Sequence, residues 1–291
     1  MWLSKRTKAE ASLVVITAIW GGTFVVVKGA LADASPLPFL SIRFLLAGFL
    51  LSAILARGRV DRATILPGSI LGLFLFIGFL FQTWGLMYTT PSKSAFLTGL
   101  SVILVPMILL LDGSKIRAAS MWGGVLGFLG IYFLVAPSGM AAVNRGDLLT
   151  LVGASSFAVH LVLVGHYTKK FSFLHLVPEQ ILVVGLLSLM ALPFWPDQSL
   201  RLTTRLMLAI LVTAVLATGV AFSVQNWAQQ YTPAAHTALI FALEPVFAAL
   251  TSWLVIGERL GGKALLGAGL ILAGMVISEI WGSPTPSPVE G

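Results

Sequence analysis

Phe81 to Ala95 reads FQTWGLMYTTPSKSA, and Val224 to Ala238 reads VQNWAQQYTPAAHTA. Gln82, Trp84, Tyr88, Thr89 and Ala95 return as Gln225, Trp227, Tyr231, Thr232 and Ala238, all at one offset of 143 (225 − 82). Further on, Gly123, Leu126 and Gly130 return as Gly267, Leu270 and Gly274, at an offset of 144 (267 − 123). A repeat with a period of half the chain fixes the architecture ahead of any single motif. The unit is apolar and holds an odd number of long hydrophobic segments, so two copies laid in a bilayer must run in opposite directions.

Composition agrees. The 291 residues are 57% hydrophobic and 10% charged, against about 25% charged in an ordinary soluble domain. Mean hydropathy is +0.96, too high for a soluble surface. The 18 basic residues sit mostly between apolar runs, where they set orientation in a membrane and do not make a nucleic-acid face. There is no cysteine, which excludes thiolate chemistry, disulfides and Cys-ligated metal. Lys5, Arg6 and Lys8 before an apolar run, with Ala30-Leu31-Ala32 after it, outline a secretory signal. Lys28 falls inside that outline, and cleavage would leave the first half one helix short, so the segment reads as a first transmembrane helix.

Ten segments meet the spanning test, near 9–30, 37–56, 64–88, 94–111, 119–136, 147–167, 176–195, 204–230, 235–256 and 263–282. The expected fold is an all-α integral membrane protein, with ten transmembrane helices in two inverted five-helix repeats. The first repeat covers 9–136 and the second 147–282, joined by a connector over 137–146, with a Pro- and Ser-rich disordered tail over 283–291. With the N-terminus inside, Lys5, Arg6, Lys8, Arg57, Arg59, Arg62, Lys115, Arg117, Lys169 and Lys170 face inward. Lys93, Arg145, Arg201, Arg205, Arg259 and Lys263 face outward. This bias puts both termini in the cytoplasm.

The first span carries Trp20-Gly21 and then Lys28, and the second carries Arg43 and then Ala47. The ninth carries Leu243-Glu244-Pro245-Val246-Phe247 and runs on to Gly257-Glu258-Arg259-Leu260. In this order, over residues 9 to 282, they resemble the EamA-type branch of the drug/metabolite transporter superfamily. The resemblance implies ten helices, residence in the cell inner (plasma) membrane, and movement of small metabolites, often amino acids and commonly outward. The first half departs from the pattern. Ser101 stands where Glu244 maps, Asp112-Gly113-Ser114-Lys115 replaces the later motif, and its helix proline is displaced to Pro106. A proline kinks a helix where its missing donor falls, so the fourth and ninth spans are expected to bend at different depths, with Pro106 and Pro245 as hinges.

Ionisable residues inside spans are costly and are candidates for function. Glu244 lies near mid-span, immediately before Pro245. It reads either as a proton- or substrate-binding carboxyl in a central cavity or as a neutral packing element. Lys28 and Arg43 could attract a carboxylate as point charge and bidentate fork; Arg43 could equally snorkel or bond freed carbonyls. Gln225, Gln229 and Thr232 make one polar stripe, with Gln82 and Thr89 a shorter copy, suited to a cavity wall or to interhelical bonds. Trp20 and His160 join the list, as does Tyr88, whose i,i+4 pairing with Trp84 also fits an aromatic belt.

No histidine pair has metal-ligand spacing beside a carboxylate, and phosphate loops are absent, so neither metal nor cofactor is expected. The expected function is secondary transport of a small molecule by alternating access. The cavity is expected between helices one, three, four, six, eight and nine, with protons a candidate coupling ion. The partners are the substrate and the lipid bilayer, with no nucleic acid; the oligomeric state is open. The alternatives are an integral membrane enzyme on lipid-like substrates and a non-transporting scaffold.

Overall fold

The computed structural model describes residues 4–109, 118–135 and 143–282. The expected tail, Lys115, Arg117, the Asp112–Lys115 motif and most of the connector lie outside them. Thirteen α-helices are described: α1 (Lys5–Ala30), α2 (Pro36–Ile54), α3 (Arg62–Leu86), α4 (Pro91–Gly99), α5 (Ser101–Leu109), α6 (Ala118–Val135), α7 (Arg145–Tyr167), α8 (Phe173–Ala191), α9 (Thr204–Val212), α10 (Ala221–Ala228), α11 (Ala234–Phe241), α12 (Glu244–Ile256) and α13 (Gly262–Gly282). A π-helical segment, Thr213–Val220, joins α9 to α10 without a break. Eight helical stretches are long and apolar enough to cross a bilayer, two of them built from α4 with α5 and from α11 with α12; α6 and α13 supply shorter apolar stretches. No strand occurs among the described residues, only an isolated bridge between Ala34 and Leu200.

Local chemistry sets the helix starts. Thr90 caps α4 through the Lys93 amide, with Pro91 at the first helical position, where no donor is needed. Asn144 and Asp147 form a reciprocal capping box on α7. Gly257, at φ 68°, ends α12 in the left-handed conformation that a side chain resists.

The two halves pack through matched pairs. α6 lies on α13 and α2 on α8; α1 lies on α12 and on the α9–α10 helix, while α7 lies on α5 and α3. A Cβ added at Gly267 would meet Gly130 O at 2.6 Å, and one at Gly274 would meet Gly123 O at 2.5 Å. Partners that sum alike, Gly130 with Gly267 and Gly123 with Gly274, mean that α6 and α13 run antiparallel. The same reciprocity holds for Gly48 against Leu182 and Gly185 against Leu45, between α2 and α8. These contacts let backbones touch where lipid offers no hydrophobic drive for association.

At one end of the bundle, the α1–α2 turn clasps the α8–α9 loop. Asp33 accepts from Arg205 at 2.8 Å and from Thr203 at 2.7 Å, and Ser35 donates to Asp197 O at 2.7 Å. The Arg205 bond, then that of Thr203, holds the Asp33 carboxyl below the ordinary aspartate range. The clasp is therefore complete at neutral pH and is lost only as acidification passes through that lowered value.

The fourth span is interrupted at Leu100 and the ninth at Ala242–Leu243, and the offset of 143 pairs Leu100 with Leu243. Pro245 sits in the first turn of α12, and the donor it lacks would have faced Phe241, beside the second interruption. Pro106 lies inside α5, beyond the break.

Gly267→Ala should lower stability by about 1–3 kcal/mol, the usual cost of overpacking. Gly269→Ala, with nothing within 4 Å of its Cβ, should be neutral or raise stability by up to ~1 kcal/mol. Thermal unfolding of detergent-solubilised protein reads both; equal effects would mean that close approach at Gly267 is not what joins α6 to α13.

Candidate functional site

A partly open cavity lies in the middle of the bundle. Its wall comes from α1 (Trp20, Thr23, Phe24, Val27), α3 (Leu75, Phe79, Gln82, Thr83, Leu86), α7 (Phe157, His160, Leu161) and α10 (Phe222, Gln225). Thr98, Gly99 and Ser101 line it beside the break at Leu100, as do Phe241 and Glu244 beside the break at Ala242–Leu243. Arg43 enters from α2, a helix not expected to contribute. Residues beside both interruptions thus line the same space, the offset partners Ser101 and Glu244 among them.

Six sequence candidates meet here: Trp20, Arg43, Gln82, His160, Gln225 and Glu244. Arg43 is 3% exposed and does not snorkel. Its Nε donates to Thr218 Oγ1 at 3.0 Å, and its guanidinium lies 4.8 Å from the Phe44 ring centroid and 5.0 Å from that of Phe79. Among the described residues no carboxylate pairs with it. Glu244 is half-buried, and no donor or cation among them bonds its carboxyl. Gly21 allows this placement, because a Cβ there would lie 2.8 Å from Glu244 O and 2.7 Å from Phe247 Cβ.

The π segment is organised by the same wall. The Ala221 amide bonds Leu216 O, five residues back, instead of Ala217 O, four back. Ala217 O accepts the Trp20 indole N–H at 2.8 Å, and Thr218 beside it receives Arg43. Trp20 also packs on Phe222 and Phe241 at centroid distances of 5.4 and 5.1 Å. Gln82 donates to Thr98 Oγ1 at 3.0 Å across α3 and α4. Gln225 donates to Gln229 at 3.1 Å, while its own Oε1 is buried without a partner.

Three candidates lie elsewhere. Lys28 donates to Leu86, Met87 and Thr89 carbonyls at 2.6, 3.2 and 3.0 Å, closing the C-terminal end of α3. Gln229 is buried and donates to Leu161 O at 3.1 Å. Tyr88 lies under the Arg145 guanidinium, 3.6 Å from its ring centroid. Sequence reasoning missed the aromatic wall of Phe79, Phe157, Phe222 and Phe241, together with Thr218, Gln180 and Asn226. Asn226 stood inside the repeated stretch between Gln225 and Trp227 and could have been found there; an isolated Gln180 in α8 gave no pattern.

The EamA-like transporter family model matches this chain twice, over residues 7–136 and 144–279. The chain belongs to the EamA-like transporter family. An uncharacterised transporter of Archaeoglobus fulgidus is 35% identical over 279 residues, covering 95% of this chain and 87% of its own. A probable amino-acid metabolite efflux pump of Salmonella typhimurium is 28% identical, covering 95% of each chain. Its Escherichia coli counterpart is 24% identical, again covering 95% of each. A crystal structure at 19% identity superposes with a TM-score of 0.69, covering 94% of this chain and 97% of the other, which shows the shared fold. As an EamA-like transporter with many apolar helices, the protein is a multi-pass membrane protein.

For this EamA-like transporter Arg43 is costly: a buried cation with one neutral hydrogen-bond partner does not recover its desolvation. Arg43→Met should therefore leave stability unchanged or raise it by about 1–4 kcal/mol. Thermal unfolding in detergent measures it; a drop of that size would make the guanidinium a packing element.

Proposed function

We propose that the protein is a secondary transporter that exports a small metabolite such as an amino acid by alternating access. On this reading ten helices form two inverted five-helix repeats, residues 9–136 and 147–282, in the cell inner membrane with both termini cytoplasmic. The observation that carries the proposal is the cavity, where an unpaired cation, Arg43, and an unpaired carboxyl, Glu244, stand in one aromatic-walled space. Such a space suits a molecule with both charges and an apolar body. Arg43 would take the carboxylate, and Glu244 the ammonium group or a coupling proton. Trp20, Gln82 and Gln225 would orient the rest. The antiparallel, reciprocal contacts of α6 with α13 and of α2 with α8 support the inverted relation, because a two-fold axis in the membrane plane pairs equivalent helices in this way. The names of the bacterial relatives favour amino acids, and the breaks at Leu100 and Ala242–Leu243 are natural places for the halves to move.

Glu244→Gln in proteoliposomes should insert and fold normally, lose roughly tenfold or more of its flux, the scale of one charge-assisted hydrogen bond, and lose its pH dependence. A well-folded Gln variant with the wild-type pH profile would overturn the role. For orientation, the cysteine-free chain takes single cysteines cleanly. Ala32→Cys should react with an impermeant reagent from outside intact cells and Val60→Cys, at a site 72% exposed, only after permeabilisation. The reverse pattern would invert the topology.

A further inference from the structure

One chain of buried side chains is used by nothing described so far. The Asn226 amide donates from Nδ2 to Phe222 O at 2.9 Å; Gln180 Nε2 donates to Asn226 Oδ1 at 3.2 Å; Gln180 Oε1 lies 2.8 Å from His160 Nε2. The three come from α7, α8 and α10, and Gln180 and Asn226 are fully buried. Their polarity follows from the carbonyl at the end. Phe222 O can only accept, so the Asn226 atom on it must be the amide nitrogen, which turns Oδ1 toward Gln180. The Gln180 atom facing Oδ1 must then be a donor, which turns Oε1 toward His160. An oxygen that only accepts requires a hydrogen on His160 Nε2. In a neutral imidazole the second nitrogen, Nδ1, is then a bare acceptor. Among the described residues nothing bonds it, and His160 is one of the residues that line the cavity.

We propose that His160 accepts a hydrogen bond from an N–H or O–H group of the transported molecule through Nδ1, with Gln180 and Asn226 as positioning residues that hold the Nε2–H tautomer. The proposal rests on the cavity being the transport site. Packing alone does not account for it, because a packing partner for Gln180 Oε1 needs one donor and no place among the cavity-lining residues. The wall then offers three distinct recognition groups: a fixed cationic donor at Arg43, a titratable carboxyl at Glu244 and a neutral acceptor at His160. A buried acceptor left without a partner penalises ligands that lack the donor, which makes it a source of selectivity.

The lock is tested apart from transport. The chain has four histidines, so nitrogen-15 labelling of histidine alone gives a readable NMR spectrum of the detergent-solubilised protein, with His160 assigned by its loss in His160→Gln. The wild type should show the Nε2–H tautomer. Asn226→Asp, whose fully buried carboxyl stays protonated and so donates to Phe222 O while still accepting from Gln180, should keep it, whereas Asn226→Leu, which frees the Gln180 amide to flip, should mix in the Nδ1–H form. A wild type in the Nδ1–H form overturns the proposal. Ligand preference is read by counterflow in proteoliposomes with L-leucine and 4-methylpentanoate, which share a skeleton and differ in the amine. The wild type should prefer leucine, Asn226→Asp should keep that preference, and Asn226→Leu should narrow it by about tenfold, the worth of one such bond. An unchanged preference in Asn226→Leu despite a mixed tautomer also overturns it. Uptake of neither probe, with the tautomer as expected, would count against the acceptor role for amines; loss of all flux with Arg43 and Glu244 intact would instead fault the transport reading.

Discussion

A backbone carbonyl released from its helix inside a bilayer has no water to turn to, and the protein itself must supply a donor. That constraint decides where this chain departs from regular α-helix. Ala217 O, passed over by π-type bonding, takes the Trp20 indole. The carbonyls at the end of α3 converge on the Lys28 ammonium. The interruptions at Leu100 and at Ala242–Leu243 are flanked by residues that line the cavity, Gly99 and Ser101 at the first, Phe241 and Glu244 at the second. Irregular backbone is concentrated where side chains of another helix, or the cavity, can serve it. The polar wall of the cavity is thus partly a by-product of satisfying the backbone.

Most of the fold was legible because its signals are collective. Segment length, apolar content and the doubled Gln-x-Trp-x-x-x-Tyr each sum over many residues, and helix ends fell within a few positions of expectation. The glycines at 123, 130, 267 and 274 announced a packing face, though not that each would touch its opposite number. The cavity was legible in part, for a physical reason. Periodicity tells which residues share a helix face but not what that face meets. Gln225 and Gln229 lie on one stripe, yet the first lines the cavity and the second is spent on Leu161 O. Lys28 and Arg43 looked alike in sequence; the distance from each to a helix end separated them. Proline marks only one of the two breaks: Pro245 follows the one at Ala242–Leu243, whereas its counterpart at Leu100 has Val102 at the matched place.

Charge inside the bundle is held without compensation. Arg43 rests on a hydroxyl and two ring faces, and Glu244 on nothing the described residues provide. The buried guanidinium is therefore unfavourable to the fold, since a cation without a counter-charge does not recover its desolvation.

The π segment carries the history of the duplication. Buried positions Thr64, Pro67, Gly68, Leu71, Gly72 and Leu75 of α3 correspond to Leu206, Ala209, Ile210, Thr213, Ala214 and Ala217 at a spacing of 142 (206 − 64). From Gly78 and Phe79 onward the correspondence is with Ala221 and Phe222, at 143 (221 − 78). The second copy holds one residue more than the first between Ala217 and Ala221, and the widened turn accommodates it. Each residue of an α-helix advances the chain by about 100°. Had the helix stayed regular, the insertion would have swung everything after it, Phe222, Gln225 and Asn226 included, by that angle away from the cavity. The wide turn restores phase, and the second copy keeps its glutamine where the first keeps Gln82.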